Sequence, residues 1–158
     1  MFHHRVEDYE KTILLKWYVL SFLAGNVNAG GFLAVERFVT HVTGFATLFG
    51  IEIANGRLDQ ALGILSVPLF FLIGSTVSAY LIDHRYLKGK RPHYDWVMLL
   101  VFLCLCMAAF GGEFHFFGVF GRSLRLREDY LLLALLCLAS GLQNAAITTS
   151  SGASVRTT

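Results

Sequence analysis

Two asparagines, Asn28 and Asn144, stand in copies of one short phrase. The first copy is Ala24-Gly25-Asn26-Val27-Asn28-Ala29-Gly30. The second, 116 residues later, is Ser140-Gly141-Leu142-Gln143-Asn144-Ala145-Ala146. Each reads small-Gly-x-x-Asn-Ala-small, with a second amide at Asn26 or Gln143. A carboxamide offers both donors and an acceptor, so it can hold a polar group or a cation. Amides inside apolar segments are costly unless they face a cavity, a ligand or another helix. A repeated interruption at matching places in two halves of a chain points to a transporter-type binding site. Gly25, Asn28, Gly141, Gln143 and Asn144 are therefore the candidate substrate-binding residues. The alternative for the amides is hydrogen bonding between helices, worth on average about 0.6 kcal/mol. For Gly25, Gly30 and Gly31 the choice lies between an unwound segment and close helix packing.

A second group is Thr40-His41-Val42-Thr43-Gly44. Histidine titrates near neutral pH, so Thr40, His41, Thr43 and Gly44 are candidates for a polar gate or proton relay. The plainer reading is an interfacial histidine bonded to a helix end. Glu52 is a carboxylate within an apolar stretch, and such groups are functional candidates. Its segment suits the membrane interface, which favours a solvated Glu52. His3-His4 reads as a solvated pair, and Glu113 as a boundary residue. Cys104, Cys106 and Cys137 lie in apolar runs and read as small apolar side chains. Ser150, Ser151 and Ser154 have no base at a recognisable spacing, and the histidines and cysteines match no metal motif. An enzyme, a metal and a cofactor are not expected.

The elements that must position these residues follow from the charge pattern. The 158 residues are 55% hydrophobic and only 15% charged, against roughly 25% charged for soluble domains. Charge is absent from Trp17–Val35, Gln60–Ile82, Trp96–Gly112 and Tyr130–Val155, runs of 19, 23, 17 and 26 residues. A spanning helix needs about 20 apolar residues, so four spans are expected and a soluble domain is excluded. The backbone must bond to itself in lipid, and no strand-like alternation is present, so the spans are helices.

The first span is expected over about Leu14 to Val35, broken near Gly25 to Gly31. Thr40 to Gly56 is too short to span comfortably and suits a re-entrant or interfacial piece. The second span is Leu62 to Ile82, with Pro68 as a possible kink and Gly74, Ser75 and Ser78 as a close-packing face. The third runs from Trp96 to about Gly111 and ends in the aromatic belt Glu113 to Phe117. The fourth starts at Tyr130 and carries the second break. The 84–95 connection holds Arg85, Lys88, Lys90 and Arg91, which places it and the N-terminus in the cytoplasm. Arg122, Arg125 and Arg127 then fall outside, against that rule's grain. Three spans separate the two phrases, so their helices should be antiparallel. The expectation is one integral membrane domain over 1–158, an all-α bundle with an inverted repeat. Its first unit is 14–117 and its second unit, incomplete, starts at 130–158.

Taken together, the two phrases, Phe38-Val39-Thr40-His41-Val42-Thr43-Gly44 and Val155-Arg156-Thr157-Thr158 resemble the YoaK family of bacterial membrane proteins, also catalogued as domain of unknown function 1275. The resemblance extends from about Lys16 to the end. It implies a multi-pass protein of the bacterial inner membrane whose substrate is not established. The family usually has an aspartate where Asn28 stands, and an asparagine where Phe45 stands. Without that carboxylate, the resemblance does not extend to ion-coupled transport. The family's Arg-Thr-Thr phrase continues into a second His-x-Thr-Gly motif and two more spans. Thr158 aligns with Thr40, so a fragment or truncated product is expected. The expected function is permease-like transport of a small polar solute or ion; the alternative is a scaffold or sensor that uses the phrases for helix packing. The expected partners are the lipid bilayer, the solute and further copies of the chain, and not nucleic acid.

Overall fold

The computed structural model describes residues 11–35, 39, 42–117 and 127–151. Five helices follow one another: α1 (Lys11–Val35), α2 (Val42–Ala54), α3 (Leu58–Leu87), α4 (Tyr94–Glu113) and α5 (Arg127–Ser150). No strand occurs among the described residues. Three of these helices are long and apolar enough to cross a membrane: Leu58–Leu87, Tyr94–Glu113 and Tyr130–Ser150 within α5. The fourth expected span, α1, has the length, 25 residues or about 37 Å at 1.5 Å per residue. Asn26, Asn28 and the glycines Gly25, Gly30 and Gly31 interrupt its apolar run. The 13 residues of α2 cover only about 20 Å, short of the roughly 30 Å hydrocarbon core.

Neither phrase breaks its helix. α1 and α5 run unbroken through Gly25–Gly31 and Ser140–Ala146, which corrects the expectation of interrupted helices. A glycine in a helix costs about 1 kcal/mol relative to alanine. Unwinding would free several backbone groups that lipid cannot satisfy, each at several kcal/mol. The helix is the smaller loss. α3 likewise continues through Pro68.

Close contacts fix the directions of the helices. Near its start α1 offers the Leu20 carbonyl to Gln143, and near its end Gly31 lies against Leu136. The two phrase-bearing helices are therefore antiparallel. Gly63 on α3 meets Tyr130, and Gly74 meets Leu138 and Leu142, so α3 runs parallel to α5. On α4, Ala108 packs with Leu132 and Leu133, whereas Val97 and Val101 pack with Ala139, Leu142 and Ala146; α4 is antiparallel to α5. Since α1 and α3 oppose each other, α2 returns the chain to the end of the bundle where α1 finishes. α5 forms the axis of the bundle, with Leu133, Cys137 and Ile147 fully buried. Outward apolar residues such as Phe22, Leu33, Leu72, Phe102 and Phe110 stay exposed, as lipid-facing side chains do.

Candidate functional site

The polar chemistry concentrates where α1, the start of α2 and α5 meet. Asn28 is half-buried, and its Oδ1 accepts a hydrogen bond from the Val39 backbone N–H at 2.8 Å. Val39 is fully buried and not helical. Its carbonyl accepts the Cys137 Sγ–H at 3.4 Å. Irregular backbone at membrane depth is tolerated only where protein or a cavity surrounds it. Here one amide and one thiol satisfy both of its polar groups. The Val39 side chain fills the space left by the missing Cβ of Gly31, where a methyl group would collide with it. Gly31 therefore serves close approach.

The second phrase is spent differently. Gln143 is buried, and its Nε2 donates to the Leu20 carbonyl at 2.9 Å, tying α5 to α1. A Cβ on Gly141 would collide with the Phe71 carbonyl of α3. Ser75 Oγ donates to the Gly141 carbonyl at 3.3 Å, so the expected small-residue face of α3 is in use. Asn144 is half-buried, one position along.

These contacts decide which expected site residues come together. Val39 places Asn28 at the level of Cys137, and Asn144 lies seven residues further along α5, about 10 Å away at 1.5 Å per residue. Asn28 and Asn144 therefore do not face one another at a common depth. Gly25 is exposed, with nothing near its missing Cβ, and Gly44 is likewise open. Thr43 lies on α2. Thr40 and His41 fall outside the described residues, as do His3, His4 and the stretch from Gly152 to Thr158.

Glu52 overturns the expectation of a solvated carboxylate. It is buried, and Arg57 Nε stands 2.6 Å from its Oε2. The turn between α2 and α3 makes this pair: Gly56 takes φ +72, and the Arg57 N–H donates to the Glu52 carbonyl at 2.9 Å. Breaking such a pair by removing the arginine would leave an uncompensated buried charge. The three cysteines are free. Among the described residues no group of three or more His, Cys, Asp or Glu side chains is placed to hold a metal ion.

A hollow lies elsewhere. A cavity of 650 Å³ opens between the first turns of α3 and α5, walled by Asp59, Gln60, Ser66, Phe70, Tyr130 and Ala134. Sequence reasoning missed it, because it arises from the splay of two helices and no motif marks it.

A bundle of apolar, membrane-length helices with polar side chains and irregular backbone packed inside is the make-up of an integral membrane protein. Residues 17–158 match the family described as "Protein of unknown function (DUF1275)", and the chain belongs to that family. No curated protein and no solved structure matches the chain.

Proposed function

We propose that the chain is a permease-like protein of the bacterial inner membrane that moves a small polar solute or ion. The contact between α1 and α5 would be its working surface. One observation carries this reading. The two copies of a repeated phrase lie on antiparallel helices that touch through a buried amide, Gln143 on the Leu20 carbonyl. An apolar contact would hold such helices without the cost of burying an amide. Antiparallel copies are what an inverted repeat requires. Asn28 and Asn144, at different depths, would serve as successive polar stations along the contact rather than as one shared clamp. His41 with Thr40 and Thr43 would gate the end nearer α2.

The test uses the protein in detergent and then in proteoliposomes. A panel of small polar metabolites and ions is screened for a rise in unfolding temperature, and each hit is assayed for uptake. A hit whose uptake is lost in both Asn28→Leu and Asn144→Leu supports the reading. Unchanged uptake in both variants removes the site.

A second reading, a scaffold or sensor, draws on a specific observation: Asn28 and Gln143 each spend a hydrogen bond on holding the fold together. Its signature is a change of oligomer size in the same variants, with no solute shifting stability.

A further inference from the structure

The basic connection between α3 and α4 folds into a corner, and its cations converge on a hollow. Gly89 turns the chain with φ +66. The Lys90 N–H returns to the Arg85 carbonyl at 2.9 Å, and the His93 N–H reaches the Leu81 carbonyl at 3.2 Å. Arg85 Nε donates to the Arg91 carbonyl at 3.2 Å, which fixes the guanidinium at the corner. His84 is held by stacking on Tyr80, with ring centroids 5.0 Å apart. The result is a pocket of 190 Å³ lined by Arg85, Lys88 and Lys90 with His84 and His93.

Three features identify what such a pocket takes. First, its basic side chains outnumber the nearby carboxylates. The ion pairs among the described residues are Arg57 with Glu52 and His93 with Asp95, the latter at 3.9 Å, so Arg85, Lys88 and Lys90 have no carboxylate of the described residues within 4 Å. Second, the volume suits a phosphate with a small substituent and not a large solute. Third, the corner joins the ends of two membrane-length helices, which puts it at head-group depth. Exposed Tyr80 lines it, and exposed Tyr86 and Trp96 lie on the adjoining helix ends; tyrosine and tryptophan favour that layer. Basic pockets between helix ends at this level bind anionic head groups.

We propose that this corner binds the phosphodiester of an anionic phospholipid. Lys88 and Lys90 supply mobile charge, and Arg85 supplies a fixed donor. The placement at the bilayer surface favours a lipid over free phosphate, which has the same chemistry.

The test measures thermal unfolding of the whole chain in neutral detergent, titrated with short-chain phosphatidylglycerol, short-chain phosphatidylcholine or inorganic phosphate. Phosphatidylglycerol should stabilise at concentrations about tenfold or more below those needed for phosphatidylcholine. Lys88→Gln/Lys90→Gln should remove most of that preference. Both lysines are exposed, and their side chains form no ion pair among the described residues, so the variant should fold. Lys11→Gln/Lys16→Gln, with equal charge removed from α1, should keep the preference. No preference in the wild type overturns the site. Equal loss in both double variants reduces it to a diffuse field and also overturns it. Equal stabilisation by inorganic phosphate overturns the lipid assignment.

Discussion

α1 and α5 carry the same phrase and live in different surroundings. In α5, 61% of the spanning residues are buried, against 28% in α3 and 22% in α4. Gly141 is pressed against the backbone of α3, whereas its counterpart Gly25 on α1 faces open space. Asn28 holds a segment eleven residues ahead of it, and Gln143 holds a helix 123 residues behind it. One phrase therefore performs two mechanical tasks, set by what the rest of the chain lays against it. A small residue marks a place where close approach is allowed; the neighbours decide whether it happens.

The comparison is open to attack by substitution, read as unfolding in mixed micelles. Gly141→Leu should be the most damaging, because α3 must move away from a side chain placed on the Phe71 carbonyl; a loss of about 3 kcal/mol or more is expected. Asn28→Leu should come next. It leaves the Val39 N–H buried without its acceptor, at about 1–3 kcal/mol. Gln143→Leu should lose about 1 kcal/mol, since it removes a buried donor while the Leu20 carbonyl keeps its place in the helix ladder. Gly25→Ala should have the opposite sign, a gain of up to about 1 kcal/mol from helix propensity. If Gly25→Leu proves as harmful as Gly141→Leu, the open face of α1 is covered in the assembled protein and the asymmetry disappears.

Much of the frame was legible in the sequence. The runs free of charge at Gln60–Ile82, Trp96–Gly112 and from Tyr130 onward became α3, α4 and α5, because burying or lipid-exposing a long apolar stretch leaves few other choices. Thr40–Gly56 read as too short to span comfortably, and the helix within it, α2, has 13 residues. The phrases misled in one respect: glycine and asparagine signal a weak helix, but in apolar surroundings the backbone has nowhere else to bond. Glu52 was misread because its partner, Arg57, sits beyond a glycine turn, outside any helical periodicity. The Asn28–Val39–Cys137 junction was invisible for another reason. It depends on a non-helical residue meeting a helix 98 positions away, and spacing along a chain carries no record of such a meeting.

That junction also has a consequence for synthesis. The Asn28 bond to Val39 spans 11 residues, so it can form as soon as α1 and the following segment are in place. The Val39 carbonyl must wait for Cys137, which is 98 residues later and, at about 5–20 residues per second, roughly 5–20 seconds away. Throughout that interval the Val39 carbonyl of the nascent chain lacks its Cys137 partner. α5, the last of the five helices to be made, supplies it. The birth of the fold is therefore ordered from its periphery inward, and its axis is threaded last between helices that are already waiting.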